Sequence, residues 1–123
     1  MKILIPIQPF AKKNGQKIII NRLTKKPMII QGEKYLKYER DCGKFLSKHK
    51  INIDYPVNVK CVFYMADNRR RDLTNYEEAI ADILVKYQVL KDDNYKILQS
   101  WDGSRIEVDK NNPRTEIEVT KIN

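Results

Sequence analysis

The chain is poor in the residues that nucleophilic and zinc chemistry need. It has one histidine, two cysteines and four glycines in 123 residues. With His49 as the lone imidazole and no Gly-x-Ser-x-Gly or Cys–His pattern, a Ser- or Cys-based triad lacks its parts. His49 ends a helical pattern and reads as a structural residue favoured by the helix dipole. Cys42 and Cys61 lack Cys-x-x-Cys or Cys/His spacing and fall in apolar-patterned stretches. They read as reduced core thiols of an intracellular protein. No glycine-rich phosphate loop appears, which argues against a nucleotide cofactor. Proline and glycine are too scattered to mark a linker, and there is no repeat. No segment approaches the roughly 18 apolar residues of a membrane helix. The opening MKILIPIQPF is too short and too proline-broken for a secretory signal. These absences predict a soluble, cytoplasmic protein with one domain over residues 1–123, large enough to bury roughly two-thirds of its unfolded surface.

Acidic residues are scarce as well, but only in the first part of the chain. Residues 1–50 carry 13 Lys/Arg against 3 Asp/Glu, a net of +10, while residues 51–123 carry 11 against 13, a net of −2. A cationic surface of this kind predicts a polyanionic partner, by default nucleic acid. Lys12, Lys13, Lys25 and Lys26 lie on or beside the N-terminal strands and are candidate phosphate contacts.

KILIPIQP, KIII and MIIQ read as three short strands, the last two joined by the polar NRLTKKP. Tyr35, Tyr38, Cys42, Phe45, Leu46 and His49 recur at helical spacing from Glu33 to His49. Among lysines, Tyr35 and Tyr38 are also candidates to stack on exposed bases, with core packing as the plainer role. Val57, Val59, Cys61, Phe63 and Met65 alternate strictly and predict a buried central strand. A second helix is expected from Thr74, with Tyr76, Ala79, Ile80, Ile83, Leu84 and Tyr87 on its apolar face. YKILQSW and RIEV, flanking DGS, read as a hairpin, with Trp101 packed in it, and TEIEVTKI as the closing strand. The order β-β-β-α-β-α-β-β-β predicts an α+β domain with two main helices packed on a mixed sheet.

Against this background the carboxylates of RRRDLTNYEE and KDDN stand out. Thr74 and Glu77 fit a Ser/Thr-x-x-Glu capping box, which explains both without chemistry. Asp72 just before the helix is favoured by the helix dipole. Asp92 and Asp93 read alone as a turn. If the chain returns beside the strand that leads to Asp72, Asp72 and Asp93 converge, and converging carboxylates need a cation. Magnesium, a hard ion held by one or two carboxylates with water and phosphate, suits them. Arg69, Arg70 and Arg71 would then hold the backbone beside a scissile phosphate, or form a solvated charge run.

RRRDLTNYEEAIADILVKYQVLKDDNYKI resembles the central motif of RusA-type Holliday junction resolvases, and the order of elements agrees along nearly the whole chain. The resemblance implies a magnesium-dependent homodimer, with Mn²⁺ able to substitute, that makes paired nicks at four-way DNA junctions in recombination and repair. It implies Asp72 and Asp93 as metal ligands, with Asn75, Asp82 and Asp92 in supporting positions. Two residues depart from the pattern. Thr74 stands where the family has a second motif aspartate, and Glu78 where it has a lysine. A hydroxyl is the poorer magnesium ligand. Glu78, four residues on and on the same helical face, is a candidate third ligand in a swapped site, or a solvated helix residue. Two rivals remain open: a catalytically silent branched-DNA-binding protein, and a metal nuclease for other branched DNA.

Overall fold

The alternation of Val57, Val59, Cys61, Phe63 and Met65 produces the central strand, β4 (Val57–Met65), with all five side chains buried. The computed structural model describes residues 1–13 and 16–123. On one side β4 pairs antiparallel with β7 (Arg114–Lys121), which pairs antiparallel with β1 (Lys2–Ile5). The register sets Phe63 opposite Thr115, Cys61 opposite Ile117 and Ile5 opposite Thr115, so one continuous face carries Ile3, Ile5, Ile117 and Val119 into the core. Pairing of this kind buries one face of the sheet and fixes its register.

The helices α1 (Glu33–Leu46) and α2 (Leu73–Lys86) complete the core. A 3-10 turn, Ser47–His49, continues α1 to the end of its predicted span. Tyr35 and Tyr38 are 1% and 6% exposed, so both are core residues and neither is available to stack on a base. Phe45 sits at the edge of the apolar face and is not buried with Leu46. The expected apolar face of α2 is seated through Tyr76, Ala79, Ile80, Ile83 and Leu84. Gly43 is where α1 receives Tyr87, since a Cβ there would lie 2.4 Å from the Tyr87 ring. Gly43→Ala is therefore expected to lower stability by about 1–3 kcal/mol through overpacking. That outweighs the helix-propensity gain of up to ~1 kcal/mol. A lower urea midpoint with an unchanged m-value is the check.

Two local expectations are corrected. YKILQSW and RIEV do not form a hairpin. β5 (Leu98–Ser100) and β6 (Arg105–Val108) both run parallel to β4 and lie in succession along its free edge. Between them, side chains hold the chain to β4. Asn58 Oδ1 accepts from the Ser100 hydroxyl at 2.6 Å and from the Asp102 N–H at 2.7 Å. The Ser104 hydroxyl oxygen accepts from the Cys61 N–H at 3.0 Å. Trp101 lies in this crossing, half-buried against the core.

The capping box is also absent. The N-cap is Asp72, whose carbonyl accepts the Asn75 N–H at 3.1 Å, so the helix starts earlier than predicted. Thr74 and Glu77 are both inside the helix, where a hydroxyl cannot serve as cap. Burial instead raises the Glu77 carboxyl above its usual range.

Among the described residues, β2 (Lys17–Ile20) and β3 (Pro27–Ile30) pair only with each other and form a separate antiparallel ribbon. Among the described residues, no helix is long and apolar enough to cross a membrane.

Candidate active site

The loop that leaves β4 builds the first half of the site. Arg71 folds back over it, donating to the Asp67 and Arg69 carbonyls at 3.1 Å each and to Asp67 Oδ1 at 2.8 Å. Its side chain is only 15% exposed, so Arg71 acts as the loop's internal brace. Arg69 and Asp67 approach at 3.7 Å, but the Arg69 side chain is 84% exposed. Arg70 is exposed. The backbone N–H of Arg69 and the Arg71 guanidinium hold the Asp67 carboxyl below its usual range. The Arg69–Arg71 run is thus one bracing arginine and two that face solvent.

This loop and the opening segment enclose an open pocket of about 680 Å³ that includes Asp72, Asn75, Arg69, Arg70 and Phe10. Gln8 fixes the opening segment by accepting the Ala66 N–H at 3.0 Å. Gln8 and Phe10 were not singled out from the sequence. The proline-flanked PIQPF was the available signal, because a bracketed extended stretch pins its side chains. Asp72 sits at the N-terminus of α2 with no side-chain cap bond, exposed, where the helix dipole favours an anion.

The second half lies further along α2. Thr74, Glu78 and Asp82 are spaced by four residues and share a helical face. Lys12 reaches Asp82 at 2.7 Å, and Lys13 stands 3.9 Å from Glu78. Both lysines therefore meet carboxylates of α2, although the sequence offered them as phosphate contacts. Beyond α2 the chain is drawn back by Lys91, whose N–H donates to the Ile53 carbonyl at 2.9 Å. Asp92 then forms the turn: its carboxylate accepts the Asp93 N–H at 2.7 Å and the Asn94 amide at 3.0 Å. Those bonds lower the Asp92 carboxyl.

Asp93 behaves in the opposite way. Partial burial raises its carboxyl, and so do the negative charges of Asp92 and Asp82. Unbalanced negative charge at this point suits a hard cation. Among the described residues, however, no three His, Cys, Asp or Glu side chains are grouped to hold a metal. Asp82 is ten residues past Asp72, about 15 Å along the helix axis. Asp82 and Asp92 are the charges that raise Asp93.

The cations Lys25 and Lys26 are far from these acids in the chain, at the exposed turn of the β2–β3 ribbon.

A family model described as Endodeoxyribonuclease RusA matches residues 6–120, nearly the full chain and both acidic stretches. No curated protein matches.

Proposed function

The chain belongs to the RusA endodeoxyribonuclease family, and from that premise we propose that it is a magnesium-dependent, structure-specific endonuclease that resolves four-way DNA junctions by paired nicks. The observation that carries the metal reading is the Asp92–Asp93 turn: Asp93 is exposed there, and desolvation together with the negative charges of Asp92 and Asp82 raises its carboxyl. Such a site is relieved by a divalent cation. Magnesium needs only one or two protein carboxylates besides water and phosphate, so the donors fit it, and Mn²⁺ has the same oxygen preference. Asp93 and Asp72 are the proposed ligands, with Glu78 as a third. A bound magnesium would supply an activated water and stabilise the leaving oxygen.

The chain's own residues do the rest. Asp92 holds the Asp93 backbone, and Lys12 holds Asp82. Arg69 and Arg70 face outward from the Asp72 pocket and can grip the strand beside the scissile phosphate. Thr74 is exposed on the first turn of α2, where its hydroxyl adds no charge.

We further infer a homodimer acting in the cytoplasm in recombination and repair. A two-fold pair of sites matches the two strands to be cut. Asp72 lies about 15 Å along α2 from Asp82, whose charge acts on Asp93, and we infer that a second copy brings Asp72 of one chain to Asp93 of the other. Mixing Asp72→Asn with Asp93→Asn chains is the check. Mixed dimers carry one intact composite site and are expected to regain single nicks. No regained cutting would mean that each site lies within one chain.

The substrate is tested by mapping cuts on end-labelled four-way junctions against flaps, with each in competition. Symmetrical paired nicks and junction preference support the resolvase. Preferred cutting of flaps would make this a nuclease for other branched DNA.

A further inference from the structure

The β2–β3 ribbon exposes a run of large apolar side chains. Ile18 and Ile20 are 74% and 70% exposed and Ile29 62%, and the register puts all three on one face. A two-stranded ribbon with an uncovered apolar face is marginal in water. Its tip is nevertheless built with care. The Asn21 side-chain carbonyl accepts the N–H groups of Leu23 and Thr24 at 2.8 and 3.1 Å, and the Asn21 backbone exchanges bonds with Lys25 and Lys26 at 2.7 and 2.9 Å. Lys25 takes a left-handed conformation, φ 57°, to close the turn. The product of this organisation is Leu23 held outward at 95% exposure.

Charge says what Leu23 is held out toward. Lys17, Arg22, Lys25 and Lys26 belong to the ribbon, and the first acidic residue of the chain is Glu33. Four cations without a carboxylate oppose the meeting of two such tips and complement a polyanion. Proteins that kink DNA join these two features, an apolar wedge that unstacks a base step and flanking cations on phosphate.

We propose that the β2–β3 ribbon is a branch-point wedge. Leu23 inserts between bases at the centre of the junction, and Arg22, Lys25 and Lys26 hold the phosphates on either side. The inference rests on the junction reading above and assigns that reading its element of structural selectivity.

The test is a four-way junction with 2-aminopurine at the branch point, titrated with full-length protein in EDTA so that cutting cannot intervene. Wild type is expected to raise the fluorescence as bases unstack. Leu23→Ala is expected to lose most of that rise and to bind the junction about tenfold more weakly, with duplex affinity unchanged. Lys25→Ala and Lys26→Ala are expected to weaken both substrates alike. An unchanged melting temperature for Leu23→Ala confirms that the fold is intact. Equal fluorescence and equal selectivity for wild type and Leu23→Ala would overturn the wedge. So would conversion of a dimer to a monomer by Leu23→Ala in sedimentation, which would make a second copy the ribbon's partner. Wild type that binds and nicks junctions beside an indifferent Leu23→Ala sinks the wedge alone. Wild type that binds no junction sinks the junction reading with it.

Discussion

Asp93→Asn is expected to reduce junction nicking by about 10²–10³-fold while leaving junction affinity within about twofold. The substitution keeps the shape and removes the charge. The turn does not depend on that charge, because the bonds holding it run from the Asp93 N–H and the Asn94 amide to Asp92. Stability gives a second, opposite signature. The Asp93 carboxyl is raised in the folded state by burial and by Asp92 and Asp82. A raised acid holds its proton more tightly when folded, so its ionisation above the folded pKa works against folding. The variant is therefore at least as stable as wild type at neutral pH, in the absence of metal. Loss of cutting together with an unchanged or higher urea midpoint is the expected pair of results. Loss of cutting with a lower midpoint would mean that Asp93 serves the fold instead.

Junction binding is expected to fall about 500-fold between 50 and 200 mM salt for each chain engaged, a log–log slope near −4.5 per chain. The slope follows from the cations that remain for phosphate. Arg71 is braced against Asp67, Lys12 against Asp82 and Lys13 near Glu78. Arg22, Lys25, Lys26, Arg69 and Arg70 are exposed, and each phosphate contact contributes about −0.9 to the slope. Arg70→Ala should make the slope shallower by about one. Fluorescence anisotropy in EDTA at four salt concentrations reads both quantities. A slope near −7 would show that Lys12, Lys13 and Arg71 leave their carboxylates on binding. A slope near −1 would remove the electrostatic account.

The order of strands and helices was legible because β4 and α2 alternate and repeat without interruption. What misled was local pattern where a distant residue decides. DGS looks like a hairpin turn, yet Asn58 and Ser104 side chains hold that stretch along β4, and nothing in the turn itself records it. Thr74-x-x-Glu77 matches a capping box, but Asp72, two residues earlier, takes the N-cap and Arg71 fixes the chain entering it. The acids of the candidate site were legible as residue types. Their distribution was not, because it depends on where the chain returns after α2, and the Lys91–Ile53 backbone bond sets that return. The Lys12–Asp82 pair, 70 residues apart, was equally invisible.

Thr74 puts a hydroxyl where the resemblance to the family places a carboxylate. The most direct measurement is incubation of an end-labelled mobile four-way junction with wild-type protein and Mg²⁺, beside the same junction in EDTA and a linear duplex with Mg²⁺. Nicks on the junction with Mg²⁺, and none in the other two, are the predicted result. Tight junction binding without nicks in Mg²⁺ or Mn²⁺ would contradict it and leave a branched-DNA-binding member of the family that does not cut.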